Sequence, residues 1–395
     1  MSGFIYPNEL ELQWGLLIVI YPYITGLVAG AFILASLERV FKVKAVEPTY
    51  RLALLTALSF MLAAPLPLLA HLGHPERALE MLVTPNPRSA MAMFGFVYAW
   101  YLAVVLLLEI WFDYRKDMVI WAREGRGLKR VMYTVLTLGA NDMSPAALRL
   151  DAGASRFITL IGIPSAFLLH GYVGFIFGSV KANPWWSSVL IPIVFLFSAI
   201  VSGIAAVLVI YVLTSLVRGR DVDMICLDKL AAFLLYALIV DFSLEVLDFI
   251  HRFYEAEESI GILSQLVTSR LFMSLIVLQV VLGTLLPMLT LGLITPAFAS
   301  KSLLHTTGEL RRMMYFAAAL LIQIGIFCTR WNVVIGGQLF SKSLRGLTVF
   351  KLQMLGPEGF FVAAGLLMLP LVILFVLTRI LPPWPDAAAP VAEPS

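Results

Sequence analysis

The sequence predicts an all-α fold, a polytopic transmembrane helix bundle of nine spans. Sixty per cent of its 395 residues are hydrophobic and only 13% are charged, so lipid is the solvent for most of the chain. Nine apolar runs are long enough to cross about 30 Å of hydrocarbon, which takes roughly 20 residues of helix. The runs lack the period-2 alternation of barrel strands, and lipid gives the backbone no hydrogen bonds, so each must close its own as a helix.

The runs lie at 14–37, 51–72, 90–112, 156–180, 188–214, 228–251, 270–296, 311–337 and 359–380. The residues before Trp14 have no basic n-region, so the first run reads as a retained helix rather than a signal peptide. Pro164, Pro192 and Pro287 fall inside runs and predict kinks that neighbouring helices re-satisfy. The longest connection, 113–155, is basic and ends in the turn-like stretch Asn141 to Pro145, which predicts a cytoplasmic linker. Its apolar segment Val131 to Gly139 is too short to span and is expected at the interface or against the bundle. The connection at 336–357 carries Lys342, Arg345 and Lys351 and leaves room for a re-entrant segment, so ten spans remain an alternative. The helical domain is expected over 1–381, with a disordered Pro- and Ala-rich tail over 382–395.

Lys and Arg concentrate in the connections after the first, third, fifth and seventh spans. By the positive-inside rule those connections are cytoplasmic, the N-terminus is outside and the C-terminus is inside. The net charge of +3 is accounted for by these loops and implies no nucleic-acid partner. The two cysteines, Cys226 and Cys328, are expected on opposite sides, so no disulfide joins them, and their spacing fits neither zinc nor an iron–sulfur cluster.

The sixth run carries Asp241, Glu245 and Asp248, with Arg252 just beyond. At 100° per residue these four positions share an arc of about 60°, one polar stripe along the helix. Ionisable groups inside a membrane face a bundle interior or a wet cavity. Two readings follow: an ion-pair network with Arg252 and Arg330, or a proton path rising about 16 Å along the helix. Glu109 and Glu38, at inner helix ends, would continue such a path inward, although solvated helix ends explain them more simply. Gln323 and Arg330, seven residues apart, share a face of the eighth helix, and Arg330 is the expected counter-charge for Asp248 or Glu245.

Polar residues also gather at the outer ends of the second, fourth, sixth and eighth helices. They include His71, His74, Glu76 and Arg77; His170, Tyr172, Trp185 and Trp186; Asp248 and Arg252; and Arg330 and Asn332. The run HLGHPERALEMLVTPNPRSAMAMFGF resembles the signature of the NrfD/polysulfide reductase membrane-subunit family, as does the fourth helix, GIPSAFLLHGYVGFIFGSVKANPWW. RWNVVIGGQLFSKS is similar to the larger members of that group.

The resemblance implies a membrane subunit that exchanges electrons between a quinone, menaquinone or ubiquinone, and an extracytoplasmic ferredoxin-like iron–sulfur subunit. A molybdopterin catalytic subunit or a multihaem cytochrome c often completes such complexes, and no metal or haem of the chain's own is implied. It places the quinone beside His170 and Tyr172, with His71, Asp248, Arg330 and Asn332 as neighbours. Asp241, Glu245 and Asp248 would serve the protons, and His74, Glu76, Arg77, Trp185 and Trp186 would meet the partner. His, Tyr, Asp and Arg beside an apolar cleft are the groups that quinone chemistry needs. A buried histidine or an ion pair can equally be structural. A di-haem cytochrome b is disfavoured because each span holds at most one histidine. A cation-coupled transporter is disfavoured because the two halves show no pair of corresponding broken helices.

Overall fold

The computed structural model describes residues 2–84, 86–255, 259–296 and 307–384. Among them, nine helices are long and apolar enough to cross a membrane: α1 Leu16–Arg39, α2 Lys44–His71, α3 Met93–Glu124, α4 Pro145–Gly178, α5 Ile191–Val217, α6 Met224–Glu255, α7 Phe272–Ile294, α8 Gly308–Gln338 and α9 Phe360–Ile380. Each expected span is present. Helices α1 to α4 form one group and α5 to α8 a second, joined where α1 packs on α5, while α9 lies outside against α2.

The α1–α5 crossing explains how two helices become the centre of the molecule. Gly30 and Gly203 meet there, and a Cβ on Gly203 would fall 2.2 Å from the Gly30 carbonyl carbon. Helix association in lipid depends on close backbone approach rather than on hydrophobic driving force, so glycine on both sides sets the distance. A second pair, Gly283 and Gly325, does the same for α7 and α8. Gln323 reinforces the centre: its Nε2 donates to the Ser202 carbonyl at 2.6 Å, and its Oε1 accepts from the Tyr23 hydroxyl at 2.7 Å.

Three expectations are corrected. Most of 113–155 is helical: α3 continues to Glu124, a short helix spans Leu128–Leu136, and Ser144 caps α4 by accepting from the Ala147 N–H at 3.2 Å. The charges on the α3 extension are consumed by neighbours, Asp113 binding Arg39 and Arg51, and Arg115 binding Asp151. The short helix lies against the bundle, where Tyr133 donates to the Ile380 carbonyl and its Leu136 carbonyl accepts from Trp111. Pro192 sits in the first turn of α5, where its missing N–H costs nothing. It therefore starts a helix instead of kinking one.

The connection 336–357 holds no re-entrant helix. It makes a single turn at Gly336–Gln338 and a strand, Gly346–Leu347, antiparallel to Ser2–Gly3. Glu9 accepts from the Ser341 hydroxyl and the Lys342 N–H, tying this loop to the N-terminus. Of the expected tail, Trp384 is placed, donating to the Pro48 carbonyl at 2.7 Å; 385–395 lie outside the described residues.

Candidate functional site

A cavity of about 250 Å³ opens between α5, α6, α7 and α8, near the end of the bundle that carries the N-terminus. Its walls are mainly apolar, from Val194, Phe195, Phe242, Phe249, Leu275 and Ile276. Between α6 and α7 it is bounded by Val246 and Ile250, both exposed on the bundle surface. Its polar floor is continuous. Glu245 accepts from Gln279 Nε2 at 3.2 Å on both oxygens and from Thr329 at 3.4 Å. Gln279 Oε1 accepts from Asn332 Nδ2 at 2.7 Å, and Asn332 Oδ1 accepts from the Ser274 hydroxyl at 2.6 Å.

Local structure explains how Gln279 reaches this floor. From Phe272 to Leu285, α7 is a π-helix, and the Thr284 hydroxyl binds the Gln279 carbonyl at 3.0 Å. The wider turn advances the side chains relative to an α-helix, a distortion often found at functional sites. Sequence reasoning did not single out Gln279, Ser274 or Thr329. The signal was present in Gln279, the one amide in an apolar span, by the same argument that picked out the acidic stripe.

The stripe does face inward, but its members divide. Glu245 lines the cavity, while Asp241, one turn deeper, is buried with Oδ1 lacking a hydrogen-bond partner among the described residues. Asp248 is fully buried, accepting from the Ser188 hydroxyl and paired with Arg252. Arg252 also donates to the Trp185 carbonyl at 2.7 Å. For Asp248, the counter-charge is therefore Arg252, one turn away on the same helix face, and not Arg330.

Arg330 instead lies behind the cavity. Its guanidinium sits 4.2 Å from the Phe195 ring centroid, and Nη2 donates to Ser198 at 2.6 Å and to His170 Nε2 at 3.2 Å. Because Arg330 can only donate, Nε2 accepts and the His170 ring proton belongs on Nδ1, facing the Thr25 hydroxyl at 3.4 Å. His170 is fully buried and stacks on the same Phe195 that walls the cavity. Both of its ring nitrogens are engaged.

The remaining nominees are not gathered here. Tyr172, two residues from His170 and so on another face of α4, stacks on Phe94 of α3 at 5.8 Å. His71 is half-buried and binds Glu358, before α9, at 3.0 Å. His74, Glu76 and Arg77 are exposed. Trp185 and Trp186 are buried and unavailable for docking. Their indole N–H groups donate to the Asn332 and Val333 carbonyls at 2.8 and 2.6 Å, satisfying acceptors left over in the last α-helical turn of α8.

Glu109 is also corrected: it is fully buried, accepting from Thr159 at 2.7 Å and from Tyr50 at 3.3 Å. It is no solvated helix end. It belongs to the α1–α4 group, as does the half-buried Glu38; the stripe belongs to the other.

The family described as "Polysulphide reductase, NrfD" matches residues 7–342. The chain is similar to a selenate reductase subunit of Mesobacillus selenatarsenatis, 31% identical over 328 residues that make up 82% of this chain and 73% of that one. It is 24% identical over 360 residues, 89% of this chain and 78% of the relative, to the Hdr-like menaquinol oxidoreductase integral membrane subunit of Archaeoglobus fulgidus. A putative dimethyl sulfoxide reductase membrane subunit of Halobacterium salinarum is 30% identical over 208 residues, 51% of this chain and 43% of its own length.

Proposed function

The chain belongs to the polysulphide reductase, NrfD, family and is a quinone-interacting membrane subunit of a respiratory oxidoreductase; we propose that its quinone binds in the cavity between α5 and α8. The observation that carries this reading is Glu245, a carboxyl group held by Gln279 and Thr329 on the polar floor of a cavity with mainly apolar walls. A quinone ring needs apolar walls, donors at its carbonyl oxygens and an exchangeable proton. Phe195, Phe242 and Leu275 supply the walls, the Gln279 and Asn332 amides supply N–H donors, and Glu245 supplies the proton. Val246 and Ile250 mark the side through which a prenyl tail meets lipid.

Menaquinone is the favoured species, since the name of the archaeal relative specifies menaquinol. Electrons enter or leave through an iron–sulfur subunit on the face carrying the N-terminus; the excess of Lys and Arg in the opposite connections supports reading that face as the outer side of a prokaryotic cytoplasmic membrane. The exposed His74, Glu76 and Arg77 lie on that face, and the relatives named as reductase subunits support such a complex. The proton route begins with Glu245 and Asp241. Asp248, locked to Arg252 and Ser188, holds the outer rim of the cavity together.

Equilibrium binding of a fluorescent quinol analogue to the purified chain tests the site. Gln279→Leu removes the amide that joins Glu245 to Asn332 and should weaken binding at least tenfold, about 1.4 kcal/mol. Unchanged affinity would remove the cavity as the site.

A further inference from the structure

In the core of the α5–α8 group, Asp241, Glu245 and Arg330 have no direct ion pair among the described residues. Asp241 and Glu245 are four residues apart and stack on one face of α6. The Arg330 guanidinium lies 4.2 Å from the ring centroid of Phe195, which walls the cavity that Glu245 lines. All three lie within electrostatic reach of one another. Arg330 spends Nη2 on Ser198 and His170, yet its buried Nε and Nη1 have no partner, nor has Asp241 Oδ1. Orphan donors and an orphan acceptor in one polar compartment are the usual setting of ordered water.

We infer that Asp241, Glu245 and Arg330 form one charge-balanced cluster in which the two carboxyl groups share a single proton, with water bridging Asp241 to Arg330. The argument is electroneutrality in a medium that charges poorly. Two ionised carboxylates would leave the compartment with a net charge of about −1, and two protonated ones would leave Arg330 uncompensated; either state is costly away from water. One proton between the two carboxyls balances the cation, as paired carboxylates do elsewhere.

The other titratable or charged groups around the cluster do not alter the count. Asp248 and Arg252 on α6 cancel each other, His170 on α4 accepts from Arg330, and Tyr23 on α1 donates its proton to Gln323. The facing groups contributed by α7, Ser274 and Gln279, do not titrate near neutral pH.

The cluster is therefore a one-proton store beside the cavity. When Glu245 gives its proton to an acceptor there, both carboxyls are left ionised against one guanidinium, and the excess negative charge draws a replacement proton to the pair. The proton count concerns the resting protein and stands whether or not the cavity takes quinone. Only the identity of the acceptor rests on the quinone reading.

Infrared difference spectra of the quinone-free protein, recorded in H₂O and D₂O, count the protonated carboxyl groups through their deuterium-sensitive C=O band. Glu109 contributes equally to each sample and cancels when a variant is subtracted from the parent. Asp241→Asn and Glu245→Gln should each remove one carboxyl's worth of band, because the carboxylate left behind ionises against Arg330. Arg330→Gln should add one, since both carboxyls then protonate, and Arg330→Lys, which keeps the charge, should leave the band unchanged. Loss in only one of the carboxyl variants would mean an independently protonated residue and overturn the shared proton, as would no gain in a folded Arg330→Gln. If Arg330→Gln does not fold, the two carboxyl variants and Arg330→Lys decide alone: loss in both with none in Arg330→Lys supports the cluster, and any other pattern overturns it.

Discussion

Glu245→Gln separates the chemistry of the cavity from its architecture, because glutamine has the shape of glutamate but cannot deliver a carboxyl proton. Glu245 accepts from Gln279 at 3.2 Å and from Thr329 at 3.4 Å. Bonds to a charged acceptor contribute about 1.5–3 kcal/mol against about 0.5–1.5 for neutral pairs. Glutamine keeps an acceptor oxygen for these partners and gives up only the share of charge that Glu245 carries in its pair with Asp241, so it should cost at most about 1 kcal/mol of stability, and the protein should assemble. The effect on turnover is larger. Proton transfer by a positioned side chain contributes typically 10²–10⁴-fold, and each decade is about 1.36 kcal/mol of barrier, so the loss amounts to about 3–5 kcal/mol. Quinol-dependent turnover of the intact complex in native membranes, normalised to assembled subunit, is the assay. A variant within about threefold of the parent would refute the reasoning, since Glu245 would then be a structural acceptor only.

Two further predictions concern stability. Gly203→Ala places a Cβ 2.2 Å from the Gly30 carbonyl carbon, so it should abolish the folded monomer on size-exclusion chromatography. Gly153→Ala, which meets nothing within 4 Å, should leave the yield intact. Asp248→Asn strands Arg252, a side chain only 11% exposed, and breaking a buried pair from one side costs about 3–5 kcal/mol. Its thermal midpoint in detergent should fall, and Asp248→Asn with Arg252→Gln should recover most of the loss because no unpaired charge remains.

The spans were legible because lipid imposes one rule on every membrane helix, a run of about 20 apolar residues, and that rule needs no knowledge of neighbours. The inward orientation of Asp241, Glu245 and Asp248 followed from the cost of charge in hydrocarbon. What the charges would bind did not follow, because partnership depends on how the helices cross. Arg252 and Arg330 were both plausible cations for Asp248, and the side-chain reach of Arg252 across one helical turn decided it.

The aromatic pair misled for a related reason. Trp185 and Trp186 in a loop read as residues that meet the partner, but the loop folds inward so that their N–H groups cap α8. Glu109 looked like a helix terminus only because α3 was expected to stop near 112, whereas ion pairs with Arg39, Arg51 and Asp151 carry it to Glu124. Gln279 was overlooked because an uncharged residue in an apolar run draws less attention than an acid. Its place on the cavity floor depends on the π-helical turn of α7, which local pattern does not encode.

Photo-crosslinking with an azido-quinone, followed by mass spectrometric mapping on the intact complex, tests the location of the quinone most directly. Labels on α6 and α7 peptides that contain Phe242 to Ile250 and Leu275 to Val280, suppressed by excess quinone and reduced in Gln279→Leu, are the predicted result. Competable labelling confined to α3 and α4 around Phe94 and Tyr172, with α6 and α7 unlabelled, would contradict the account and move the site to the other helix group.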